Sequence, residues 1–185
     1  MRTFLAIPLP ESLVPPVESL RDRLAASRAD VKWVDRSNFH FTIRFLGEIE
    51  HHQVEYVKST VRSLANHPAF LTEMGKVGAF PSLSAPRVIW VGLVKGHQEM
   101  QELARELENA LSELGFIPEV KPFHTHLTLG RARSERWGTL KELLYQEPGL
   151  AGYTFQANEL SLYASTLTPQ GPIYRALETV NWKEK

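Results

Sequence analysis

Two similar α+β lobes facing each other across a cleft are the fold that the 185-residue sequence predicts, and three observations predict it. The element order strand, helix, strand, helix, strand occurs twice. An offset of 86 positions carries Phe4 onto Trp90, Ile7 onto Leu93, His40 onto His126 and Thr42 onto Thr128. The same offset lays the helix near 51–65 on residues 137–151, which carry a helical pattern of their own. No low-complexity stretch or flexible linker parts the halves, so residues 1–185 read as one bilobal domain with interleaved lobes.

Each element has its own signal. Met1 to Leu9 is a short apolar run with β-branched and aromatic residues, ended by Pro8 and Pro10, and reads as a strand. Leu13, Val14, Val17, Leu20 and Leu24 then recur at helical spacing from Glu11 to Ser27, with Pro15-Pro16 in the first turn, where a missing N–H costs little. His40 to Leu46 alternates between the turn formers Ser37-Asn38 and Gly47, giving a strand. Val54, Val57, Val61 and Leu64 mark the helix from about His51 to Ala65. Ala69 to Phe80 and Arg87 to Leu93 read as strands joined by a turn at 81–86. His97 to Leu114 carries Met100, Leu103, Leu107 and Leu111 on one face and stops at Gly115. His124 to Gly130 is a further strand, residues 136–146 a short helix, and 153–163 and 173–179 the last two strands.

Composition excludes several classes. The 21 Lys+Arg balance 21 Asp+Glu, which argues against coating long nucleic acid but leaves room for a local cationic pocket that grips one strand end. With no Cys there is no disulfide framework, thiolate nucleophile or Cys-ligated zinc. The first apolar run, Phe4 to Leu9, is too short for a signal peptide or a membrane span, so the expectation is a soluble cytoplasmic protein without a membrane partner.

Residues two apart on a strand point the same way. One face of His40-Phe-Thr-Ile-Arg-Phe-Leu-Gly47 therefore carries His40, Thr42 and Arg44, and the other Phe41, Ile43 and Phe45 as a core face. In His124-Thr-His-Leu-Thr-Leu-Gly130, His124, His126 and Thr128 share a face. A pseudo-twofold axis would bring both His-x-Thr pairs into the cleft. Two imidazoles that titrate near neutrality can act as a base and an acid, and two hydroxyls can hold the oxygens of a phosphoryl group. Arg44, Lys121, Arg131 and Arg133 are candidate cations at its mouth, of which only Arg44 has the strand parity. His124-x-His126 as half a metal site is the competing reading, with no third ligand at suggestive spacing. Trp33 and Trp90 are read as core residues.

The two motifs resemble those of the 2H phosphoesterase superfamily, and within it the bacterial and archaeal RNA 2′,3′-cyclic phosphodiesterases of the LigT type, historically called 2′-5′ RNA ligases. Similar stretches span nearly the whole chain: Arg2-Thr-Phe-Leu-Ala-Ile7, Val31-Lys-Trp-Val34, Pro86-Arg-Val-Ile-Trp90, Phe123 to Arg131, Leu162-Tyr-Ala-Ser165 and Pro169 to Tyr174. The resemblance implies antiparallel sheets around a positively charged cleft. It also implies hydrolysis of an RNA 2′,3′-cyclic phosphate end, tRNA halves among such ends, to a 2′-phosphate, with no cofactor and no metal. By the same correspondence His40 is the proton donor and His126 the acceptor, while Thr42, Thr128 and Arg131 hold the phosphate. Run backwards, the chemistry joins a 5′-hydroxyl to the cyclic phosphate. A monomer is the expected state. The alternatives are a 2H enzyme for small cyclic nucleotides or 2′-5′ oligonucleotides, a noncatalytic RNA-end-binding module, and a His-ligated metalloprotein.

Overall fold

A computed structural model describes residues 1–184, which form nine strands and four α-helices. In chain order they are β1 (Arg2–Pro8), α1 (Val14–Ala25), β2 (Val31–Trp33), β3 (His40–Glu48), α2 (His51–Ser63), β4 (Phe70–Ser82), β5 (Ala85–Lys95), α3 (His97–Glu113), β6 (Leu127–Ala132), α4 (Leu140–Gln146), β7 (Thr154–Ala157), β8 (Glu159–Thr168) and β9 (Gly171–Asn181). Local chemistry sets their ends. Pro15 and Pro16 occupy the first turn of α1, and the backbone N–H of Glu50 donates to the Gln53 side chain at 2.9 Å at the start of α2.

The two half-sheets join into one open antiparallel sheet in the order β7-β4-β5-β6-β3-β1-β8-β9, with β2 beside β6. The halves exchange strands: β4 follows α2 but pairs with β5, while β7 goes to β4 and β8 returns to pair with β1. The junction between halves is the antiparallel pair β3–β6, registered on Phe41 opposite Leu127. Those are the central residues of the two His-x-Thr motifs, and they differ by the offset of 86 seen in the sequence.

All four helices contribute to a single apolar cluster. Val17, Leu20 and Leu24 of α1, Val57 and Val61 of α2, Leu103, Leu107 and Leu111 of α3, and Leu140 of α4 pack with Leu5, Ile7, Phe41, Ile89, Val91, Leu127, Leu129 and Leu162 of the sheet. Alternation then leaves the other residues of the same strands on the helix-free face, among them Phe4, His40, Thr42, Trp90 and Thr128. The helices cover one side, and the polar motifs stand on the other.

Several segments depart from the sequence reading. The strand expected over 153–163 is two, β7 and β8, because the chain leaves one half-sheet and enters the other at Asn158. The turn expected over 81–86 narrows to Leu83-Ser84, since both flanking strands extend. Residues 31–33, read only as part of the resemblance, form β2 against β6. The strand expected from His124 begins at Leu127, after an irregular approach that contains Pro118 and Pro122.

Candidate active site

His40 and Thr42 sit at the start of β3; His126 precedes β6 by one residue, and Thr128 and Arg131 lie within it. All five line one cavity of about 720 Å³ on the helix-free face, where β3 and β6 meet. Arg2, Phe4, Phe45, Leu167 and Tyr174 complete much of its wall.

The two histidines are held alike. His40 Nδ1 lies 2.7 Å from the Asn38 carbonyl oxygen, and His126 Nδ1 lies 2.6 Å from that of His124. A carbonyl only accepts, so each Nδ1 carries its hydrogen and donates to the residue two places back. Each Nε2 is thereby the atom left to exchange a proton. The Thr42 hydroxyl is 2.9 Å from His40 Nε2 and donates to it when the ring is neutral.

Aromatic walls flank both rings. Phe4 lies 5.0 Å and Tyr174 5.3 Å, centroid to centroid, from His40, the latter edge-on. On the other half Phe80 lies edge-on 5.1 Å from His126, and Trp90 lies 6.3 Å away. Phe4 and Trp90 are partners under the 86-residue offset, so each half supplies an equivalent aromatic beside its histidine. Gly78 makes room for this arrangement, since a Cβ there would overlap the Trp90 ring. On β6, Gly130 leaves room for Trp33 of the adjacent β2, since a Cβ there would come within 2.7 Å of that ring.

Burial against these walls disfavours an imidazolium. It pushes His40 down from 6.5 to about 4, with the positive charges of His126 and Arg131 adding to the effect. His126 is lowered too, by burial first and then by His124 and Arg131. Arg131 also opposes the burial that raises Tyr174, so its charge is felt on both sides of the cavity. The cavity is thus built with a standing positive potential and favours an anion between the rings.

One expected cation is elsewhere. Arg44 is 7% exposed on the helix side of the sheet. Its guanidinium meets Glu108 of α3 at 2.7 Å and Glu119 at 2.9 Å, and donates to the Phe45 carbonyl at 2.7 Å. The cause is a β-bulge: Ala6 faces Thr42 while Leu5 faces Arg44, so Ile43 is the extra residue and the parity of β3 inverts after it. Phe45, expected in the core, consequently lies on the cavity face and is 51% exposed. Lys121 lines an adjoining groove instead, and Arg133 is exposed outside the cavity lining. Trp90, read as core, is only half-buried and belongs to the site face, whereas Trp33 packs against the main core. Phe4, Phe45, Phe80 and Tyr174 escaped the sequence reading as site residues; the Phe4–Trp90 correspondence was the available signal. His124 lies beside Phe80 and Trp90, and among the described residues no three His, Asp or Glu side chains gather in a metal-binding group. Nor, among the described residues, is any helix long and apolar enough to cross a membrane.

Comparison with known proteins agrees with this arrangement. The LigT like Phosphoesterase family matches the chain twice, over residues 7–90 and 91–174, so each match contains one His-x-Thr motif. RNA 2′,3′-cyclic phosphodiesterases of Aeropyrum pernix and Methanothermobacter thermautotrophicus are 35% and 33% identical to it, over 87% and 96% of this chain and 92% and 97% of theirs. A Thermus thermophilus protein of known structure superposes with a TM-score of 0.85 at 25% identity, with 100% of both chains covered. Escherichia coli LigT in complex with 3′-AMP superposes with 0.77 at 25% identity, over 98% of this chain and 96% of that one. The paired motifs, the strand exchange between halves and a twofold family match over most of the chain have one reading: the chain belongs to the LigT-like phosphoesterase family.

Proposed function

We propose that this protein hydrolyses 2′,3′-cyclic phosphate ends of RNA to 2′-phosphates by acid–base catalysis between two histidines. The observation that carries the proposal is the single cavity lined by both His-x-Thr pairs, with both Nε2 atoms left for proton transfer by the same backbone anchoring. The RNA 2′,3′-cyclic phosphodiesterases among its relatives support the substrate class.

In this mechanism His126 Nε2 takes a proton from the water that attacks phosphorus. His40, as imidazolium, gives its Nε2 proton to the departing 3′ oxygen on the opposite side. The P–O bond to water forms as the P–O3′ bond breaks, and the 2′ oxygen keeps the phosphate. Thr42, Thr128 and Arg131 hold the nonbridging oxygens, where negative charge builds. A phosphate oxygen that accepts from Thr42 turns that hydroxyl hydrogen away from His40 Nε2 and leaves Nε2 facing O3′. The proposed setting is a monomer in the cytoplasm, with tRNA halves among the RNA ends served.

The test is incubation with an oligoribonucleotide ending in a 2′,3′-cyclic phosphate, chelator present, followed by identification of the product end. A 2′-phosphate is expected; an untouched cyclic end, from protein shown to be folded, removes the proposal.

The acid and base require opposite protonation states, so the rate–pH profile is bell-shaped. Both histidines are held below 6.5 in the free protein, His40 at about 4. The expected optimum of kcat/KM therefore lies between about pH 4 and pH 6.5. A bound phosphate anion favours both imidazoliums, which moves the kcat profile to higher pH. Separate pH profiles of the two parameters check this, and a kcat/KM optimum above the ordinary histidine range contradicts it.

A further inference from the structure

A second groove, of about 900 Å³, runs from the catalytic cavity along α3 and the 119–124 segment. The two share Thr42, Phe45 and His126, whereas His40 and Arg131 line only the first. The groove therefore opens on the side of the proposed base. Its floor is apolar, with Ile43, Phe45 and Phe123, and exposed Arg105 and Lys121 stand on its rim. Its two carboxylates, Glu108 and Glu119, are both taken up by buried Arg44, so the charge the groove presents is positive. A volume near the top of the roughly 300–1,000 Å³ range of small-molecule sites is far more than an attacking water needs.

We propose that this groove is the acceptor site for the 5′-hydroxyl end of a second RNA strand. Its first base lies against Phe45 and Phe123, and its following phosphate meets Arg105. This rests on the hydrolytic reading above, because it puts the 5′ oxygen where that reading puts water. In the step, His126 Nε2 removes the 5′-hydroxyl proton, the O5′–P bond forms, the P–O3′ bond breaks, and His40 protonates O3′. The product is a 2′-5′ phosphodiester, and no oxidant or nucleotide cofactor enters the balance. Run in reverse, the groove holds the leaving nucleoside of a 2′-5′ linkage.

The experiment offers wild type, Arg105→Glu and Arg105→Lys a cyclic-phosphate RNA together with a 5′-hydroxyl oligoribonucleotide, or with methanol as an alcohol too small to need the groove. Each product is quantified. For Arg105→Glu the ratio of joined to hydrolysed RNA is expected to fall about tenfold, as for a lost charge-assisted hydrogen bond. Arg105→Lys keeps most of it. In Arg105→Glu the ratio of methyl ester to hydrolysed RNA keeps its wild-type value, and the salt dependence of joining weakens by about one phosphate contact. The assignment is overturned if the joined ratio is unchanged in Arg105→Glu, or if joining and methanolysis fall together. It is also overturned if wild type hydrolyses the cyclic end yet joins nothing at saturating acceptor. Absence of hydrolysis by folded wild type would instead remove the hydrolytic reading itself.

Discussion

Replacement of His126 by alanine is expected to lower kcat for the cyclic-phosphate end by roughly 10²–10⁴-fold, with His40→Ala of the same order, as is typical for loss of a general base or acid. The size follows from how the rings are held. Each is oriented by a backbone carbonyl two residues earlier, at 2.6–2.7 Å, so its Nε2 stands in the cavity without reorganisation. A diffusing water does not reproduce that placement. Each variant should also lose one limb of the pH profile, which a merely structural defect would not do. Thermal melts guard against misfolding: both rings stand on the helix-free face, outside the apolar cluster. Near-full activity in either variant sinks the two-histidine assignment. Buffer imidazole offers a further check, since it can partly replace a missing ring and cannot repair a collapsed sheet.

How far the sequence led, and where it stopped, follows from the range of the interactions involved. The amphipathic helices and most strands were legible because their patterns are local: Val54, Val57 and Val61 face one way whatever packs against them. The convergence of the two pairs on one cavity was legible because the sequence carries the motif twice, at His40 and Thr42 and again at His126 and Thr128. Strand parity held only within an uninterrupted ladder. The bulge at Ile43 arises from pairing with β1, which is distant in the chain, and it exchanges Arg44 and Phe45 between the faces of the sheet. Nothing within residues 40–48 announces it. The break at Asn158 has the same origin, because which half-sheet a strand joins is decided by its partner. Arg131 was carried over by resemblance, and it lines the same cavity as the four motif residues. Lys121 and Arg133, proposed from chain proximity alone, do not.

Phe41→Ala should be the most destabilising of the substitutions considered. Phe41 is 1% exposed, its ring stacks on Phe155 at 6.0 Å, and its backbone is registered opposite Leu127 where the two half-sheets join. Truncating a buried phenylalanine typically costs about 3–5 kcal/mol, from lost apolar burial and from the cavity left behind. Against a total stability of about 5–15 kcal/mol, the midpoint of urea or thermal unfolding should fall markedly. Activity should fall as well, at temperatures where the variant is still folded. Phe41 lies between His40 and Thr42, and Leu127 between His126 and Thr128, so their packing sets how the two proposed proton-transfer atoms face each other. The register of a single residue pair carries that alignment, with few neighbouring ladder contacts to restore it. Phe41→Leu, which keeps most of the volume, separates the two effects: it should recover most of the stability and a smaller share of kcat. Full activity in Phe41→Ala alongside the stability loss would mean that β1 and β5, rather than the junction, position the histidines.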